Sequence, residues 1–358
     1  MLRGKVRSWK KGNFWVGISG LLLVLILIMV VAVAIGGTYI APKEVYKVLI
    51  YKLTNGYFYK DAGDAMLESI IWEIRLPRVL LGAIGGAGLA LCGVLMQCIT
   101  KNPIAEPYIL GVSSGASCGA VAVIVLGGMV SSVGITSVTM GAFIGAIVTG
   151  ILVLAIGTQM GREPSTIRLV LSGMAISTIF SALTNLLIYA AQNTNQAKTA
   201  LFWTVGSLGG AKWEVLLLPF IILSLVMMVT LLVSKSLDLL LVGDQSAMML
   251  GMNIKLIKVM ILVLATLLTS SLIAVTGSIG FIGLVVPHVC RTQVGSDHKK
   301  LILSSALIGA IFLIVSDMIA RGLFPPLEIP IGIITALVGG PFFLYLIAKK
   351  NYSFGGSE

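Results

Sequence analysis

The chain is 358 residues long, 57% hydrophobic and 11% charged, with a mean hydropathy of +1.04. That composition excludes a soluble globular domain, and the continuous, non-alternating apolar runs exclude a β-barrel. A net charge of +11 would point to nucleic acid in a soluble protein, but here basic residues on cytoplasmic loops account for it, and no nucleic-acid partner is expected.

Residues 1–11 carry Arg3, Lys5, Arg7, Lys10 and Lys11 and precede a charge-free run from Gly12 to Pro42. The run exceeds the h-region of a signal peptide, about 7–15 residues, so it reads as a retained first span entering from the cytoplasm. A mixed charged and aromatic segment covers 43–78, of which 43–74 reads as external, with room for a short helix. Charge-free runs follow at 79–100, 107–161, 169–197 and 215–234. The second of these must cross twice, with its natural break from Gly127-Gly128 to Ser137. The segment 235–258 is too polar to cross. Beyond it, Val259 to Cys290 is long for one helix and short for two. A single crossing would put Arg291, Lys299, Lys300, Lys349 and Lys350 outside, whereas a break near Thr276-Gly277-Ser278 puts all five inside, as the positive-inside bias requires. Final spans lie at 301–320 and 329–348. The expected fold is therefore all-α: one transmembrane domain over 1–358, about ten transmembrane helices, and both termini cytoplasmic.

Small residues at four-residue spacing recur at Gly82 and Gly86, Gly111, Gly115 and Gly119, and Gly141 and Gly145. Such faces let helices approach closely in lipid. Cys92, Cys98, Cys118 and Cys290 all lie in or beside apolar runs without metal-ligand spacing, and read as small core residues. No catalytic constellation, metal set or cofactor motif stands out. His288 and His298 are the only histidines, and no G-x-x-x-x-G-K-S/T loop is present, so energy for active transport must come from a partner. Predicted spans carry no deep acidic residue, which argues against an ion-coupled secondary transporter.

Two regions suggest partners. The cytoplasmic loop 235–258 can form a short amphipathic helix pair around Gly243-Asp244, with Leu237, Leu240, Leu241, Ala247, Met249 and Leu250 as its apolar positions. It suits either a protein partner or an interfacial position on lipid headgroups. On the other side, Arg75, Arg78 and Arg321 fall together outside, where they suit an acidic docking partner, an anionic substrate, or local pairing, since Asp317 lies four residues before Arg321.

Several segments in order resemble the FecCD-type permeases, the membrane subunits of ABC importers for iron-siderophores, haem and cobalamin. They are Arg75-Leu-Pro-Arg78, the glycine-rich span to Gln97, Asn102-Pro-Ile-Ala-Glu-Pro107 with Leu110-Gly111, Leu171-Ser-Gly173, Trp203 to Leu208 with Trp213, Ala247 to Gly251, Gly280 to His288 with Arg291, Asp317 with Ala320-Arg321, and Pro330-Ile-Gly332 through Gly340-Pro341. The resemblance implies a multi-pass subunit of a bacterial cytoplasmic membrane that pairs with a second permease copy or paralogue and two ABC ATPase subunits. It implies docking of an extracellular or periplasmic substrate-binding protein on Arg75, Arg78 and Arg321, and ATPase coupling through Leu237, Gly243, Asp244, Ala247, Leu250 and Gly251. It also implies a cytoplasmic gate at Asn102, Ile104, Ser165 and Thr166, with Ile104 in place of the usual leucine, and a path lined by 168–192. An iron-siderophore is the expected cargo, haem and cobalamin being the alternatives.

Overall fold

The computed structural model describes residues 11–36, 40–55, 57–58, 64–127, 134–158, 166–325 and 327–349, which are helical throughout, with no sheet among them. In chain order the helices are α1 (Lys11–Ala34), α2 (Pro42–Leu53), α3 (Ala65–Ser69), α4 (Leu76–Thr100), α5 (Val112–Gly127), α6 (Ile135–Thr158), α7 (Thr166–Tyr189) and α8 (Thr194–Val205). They continue as α9 (Trp213–Leu232), α10 (Ser234–Val242), α11 (Asp244–Met249), α12 (Ile254–Thr276), α13 (Ile282–Val294), α14 (His298–Gly322) and α15 (Ile331–Lys349). A π-helical stretch, Ile70–Arg75, joins α3 to α4, and a 3₁₀ turn, Pro107–Leu110, precedes α5.

Among the described residues seven helices are long and apolar enough to cross a membrane; Val112–Gly127 and Ile331–Leu346 are shorter apolar helices. The break expected in the long run falls where glycine allows it. Helix α12 ends at Thr276, Gly277 takes a left-handed φ of +67°, and α13 starts at Ile282. The run 169–197 is not one span: α7 stops at Tyr189, and Asn193 caps a separate α8 by accepting from Gln196 N at 2.9 Å.

Helix α4 is the axis of the bundle, with α9, α12, α13 and α14 packed around it. In lipid, apolar burial drives helix association weakly, so packing distance decides which helices bind. A Cβ at Gly86 would collide with the Gly309 carbonyl of α14, and one at Gly93 with the Gly283 carbonyl of α13. On α5, Gly115 and Gly119 meet Gly145 and Gly141 of α6, so two glycine pairs visible in the sequence are the two halves of one contact. These glycines face neighbouring backbones, not a pathway.

All four cysteines are free thiols; Cys92, Cys98 and Cys290 are buried and Cys118 is half-buried.

Gly93→Val should force α13 away from α4, costing about 3 kcal/mol or more by overpacking. Gly340→Ala, with nothing within 4 Å of its added Cβ, should be silent. Thermal stability in detergent, followed by monodispersity on size exclusion, separates the two.

Candidate functional site

The arginines expected outside turn inward. Arg75 is 6% exposed and donates through Nη1 to the carbonyls of Val33 at 2.9 Å and Ala34 at 2.8 Å. Arg321, 3% exposed, donates to the carbonyls of Ile35 at 2.7 Å and Ala32 at 3.1 Å. The last turn of α1 leaves carbonyls without intrahelical partners and carries the negative end of the helix dipole, so two guanidiniums are its natural cap. Asp317 is held between Arg78, whose Nη2 lies 2.9 Å from Oδ1, and Arg321, whose Nε lies 2.9 Å from Oδ2. Arg78 also pairs with Glu328 at 2.9 Å, on the segment that leads into α15. The arginines thus form an internal clasp across α1, α4 and α14, and do not present three open forks to a partner. The i,i+4 spacing of Asp317 and Arg321 signalled part of this; the carbonyl cap and Glu328 were not legible.

At the other end of α4, Lys101 adopts a left-handed φ of +51° and turns the chain back into the bundle. Asn102 Oδ1 accepts from Ile104 N at 3.1 Å, fixing the tight turn of the expected gate; both residues are half-buried. Thr166 opens α7, and Ser165 lies outside the described residues. The 3₁₀ turn then packs on α7, where a Cβ at Gly173 would collide with the carbonyl of Ile109.

This segment returns into the bundle. Pro107 sits against Gly283, which itself faces Gly93 of α4, about 10 Å along the helix from Thr100 at 1.5 Å per residue. Glu106 accepts from the Phe281 N–H at the start of α13, and the Tyr108 hydroxyl donates to the Ile279 carbonyl while accepting from Ile279 N. Ser113 and Ser278 hydroxyls lie 2.6 Å apart. A carboxylate therefore does stand within the bundle, where the spans alone showed none. Its role is visible: it satisfies a backbone N–H that the break between α12 and α13 leaves open.

The segment 235–258 forms the expected helix pair. Gly243, at φ +134°, makes the corner between α10 and α11. Leu237, Leu240 and Ala247 are buried against the bundle, whereas Val242, Met248, Met249 and Leu250 are exposed, ending at Gly251 with φ +82°. Asp244 pairs with Lys101 Nζ at 2.9 Å and Lys258 Nζ at 2.6 Å. Partial burial pushes its carboxyl up, but the hydrogen bonds from Lys258 and Lys101 outweigh this and hold it below the usual carboxylate range. Asp238 of α10 accepts from the His298 backbone N–H at 2.9 Å and meets its Nδ1 at 2.7 Å, tying the pair to α14. Lys101, Lys258 and His298 lie far from residues 237–251 in sequence or carry no motif, so none was identifiable beforehand. His288 lines a cavity of about 530 Å³ with Pro103, Arg291 and Phe342.

Known proteins are similar to this chain over most of its length. Residues 22–349 match the model of the FecCD transport family. The chain is 40% identical over 286 residues to the cobalamin import system permease protein BtuC of Halobacterium salinarum, covering 79% of this chain and 74% of that one. It is 38% identical over 293 residues to the hemin transport system permease protein HmuU of Yersinia pestis, covering 81% and 86%. A solved metal-chelate type ABC transporter in an inward-facing conformation superposes with a TM-score of 0.80 at 32% identity, covering 93% of this chain and 99% of that one. A chain with this order of motifs, this clasp and this helix pair, matched over nearly its whole length, belongs to the FecCD transport family of membrane permeases.

Proposed function

We propose that this permease forms half of the path of an ATP-driven importer for a metal chelate in a bacterial cytoplasmic membrane, with an iron chelate as cargo. The relatives' names support the cargo class: cobalamin, hemin and, in Bacillus subtilis, Fe(3+)-citrate. Ten crossings with both termini cytoplasmic follow if α13, α5 and α15 join the seven longer spans. A second permease copy or paralogue completes the path, two ABC ATPase subunits drive it, and a substrate-binding protein delivers cargo outside.

The observation that carries this reading is the exposed apolar tip at Met248, Met249 and Leu250, on a helix pair that Asp244 bonds to the first residue of the gate loop. An exposed apolar cluster at the end of a membrane domain suits a protein partner. A partner that moves this tip on binding ATP pulls, through Asp244, on Lys101 and therefore on Asn102 and Ile104; Ser165 and Thr166 form the gate's other side. Lys258 anchors the same carboxylate to the base of α12. Outside, the binding protein docks on a rim whose shape the arginine clasp holds, so Arg75, Arg78 and Arg321 serve docking by positioning.

Leu250→Asp with Met249→Asp should abolish co-purification of the ATPase from detergent while the permease stays folded; retained co-purification would refute the seating of the ATPase on this tip. Asp244→Asn should lower transport per ATP hydrolysed in liposomes and cost about 1–3 kcal/mol of stability, because the Lys101 side of the site is solvated but the buried Lys258 loses its counter-charge. A carboxylate with a depressed value contributes above the ordinary value of about 4 and loses that contribution only as pH falls through its own, so wild-type coupling should be flat over roughly pH 6–8. Arg321→Gln, in contrast, should cost about 3–5 kcal/mol by leaving Asp317 and the α1 carbonyls short of donors, read as a fall in melting temperature before any change in docking affinity.

A further inference from the structure

Where α13 and α15 approach the turn at Asn102 lies a cavity of about 530 Å³. Pro103 comes from that turn, His288, Arg291 and Thr292 from α13, and Phe342 and Leu346 from α15. Much of the wall is apolar: the His288 ring meets Phe342 edge to face, with centroids 6.3 Å apart, and Leu346 is buried. Arg291 is the one arginine in it, and no acidic residue is among the described residues that line it.

Arg291 differs from the arginines at the outer end of the bundle. Arg75, Arg78 and Arg321 donate to carbonyls or carboxylates. Arg291 is half-buried, and its Nε and Nη2 are closed off from solvent with no acceptor among the described residues. A guanidinium cannot shed its proton, so this burial is unfavourable until an anion shares it. The carbonyl end of α13, where Arg291 occupies the last turn, offsets only part of the charge. Nε and Nη2 form one edge of the planar group, the pair of donors that grips two oxygens of a single anion.

We propose that this pocket binds a phosphate group on the Nε–Nη2 edge of Arg291, and that the phosphate belongs to the headgroup of an anionic phospholipid in the cytoplasmic leaflet. The charge argues for the phosphate and the wall argues for the lipid, because Phe342 and Leu346 give an acyl chain an apolar seat that a free phosphate cannot use. Basic pockets between membrane helices suit anionic headgroups on the cytoplasmic side, and the topology proposed above puts this end, with Lys299 and Lys300, on that side. A lipid seated here bears on Pro103 and steadies the turn at Asn102. That consequence for the gate rests on the importer reading; the binding site itself does not.

Native mass spectrometry tests the site on the full-length permease, delipidated in detergent together with the subunits that co-purify. Phosphatidylglycerol, phosphatidylcholine and inorganic phosphate are titrated separately. Wild type should retain one phosphatidylglycerol per permease copy in preference to phosphatidylcholine. Arg291→Gln should weaken that binding about tenfold or more, the loss expected for charge-assisted hydrogen bonds, and Arg291→Lys, which keeps the charge without the fork, should fall between. Leu346→Trp, which fills the apolar end, should weaken phosphatidylglycerol and leave inorganic phosphate unchanged. Without lipid, Arg291→Gln should melt at the wild-type temperature, and it should lose the rise that phosphatidylglycerol gives the wild type. Unchanged lipid affinity in Arg291→Gln, or equal retention of the two lipids, overturns the proposal. So does a lower melting temperature of the lipid-free variant, which assigns Arg291 an internal partner, and so does a wild-type complex that binds neither lipid nor phosphate, its pocket being filled by protein. Inorganic phosphate bound as tightly as phosphatidylglycerol, with Leu346→Trp affecting neither, keeps the phosphate site and overturns the lipid as its source. Absence of a co-purifying ATPase removes the importer reading and leaves the lipid result standing.

Discussion

A single tyrosine hydroxyl joins the two breaks in this membrane bundle. Tyr108 donates to the Ile279 carbonyl and accepts from the same residue's N–H, while Glu106 takes the N–H of Phe281 two residues on. Inside a bilayer an unpaired backbone amide costs several kcal/mol, so helices normally run through without interruption. Here the chain breaks off at Lys101 and again at Gly277, and side chains of the first broken segment supply partners to the backbone of the second. Shortened helices α5 and α13 can then start inside the bundle.

The rest of the architecture keeps those breaks in register. Helix α4 touches α14 and α13 backbone to backbone at Gly86 and Gly93, which leaves little room for sliding or rotation. Its outer end is held by Arg78 on Asp317 and Glu328, and its inner end by Lys101 on Asp244. A rigid rod with ion pairs at both ends is a suitable reference for movement on either side. The two ends differ in strength for a physical reason. The Arg78–Asp317 pair is buried on both sides and hard to break, whereas the Lys101–Asp244 pair is partly solvated and is the easier one to rearrange.

Burial divides the apolar residues of the α10–α11 pair into two sets. Leu237, Leu240 and Ala247 fasten α10 and α11 to the bundle, and Met248 to Leu250 stay exposed, free for the partner proposed above. Methionine is flexible and polarizable, which suits a surface that must stay seated while the partner changes shape.

The sequence by itself determined the class, most helix limits, the break at Gly277 and the corner at Gly243. Each of these depends on local signals: charge-free length, the positive-inside bias, and glycine where φ must be positive. It also marked the residues at both ends of α4 and the glycine pairs. Only the tertiary structure decided what those residues touch. Arg75 and Arg321 look like docking groups until the last carbonyls of α1 arrive above them, more than 40 and more than 280 residues away in the chain. Asp244 meets Lys101 only once the fold brings them together, and Glu106 finds its backbone donor, Phe281, only inside the bundle. Hydropathy and spacing register what a segment can tolerate along its own length. Partners for buried charges and broken backbone come from distant segments, and no local pattern records them.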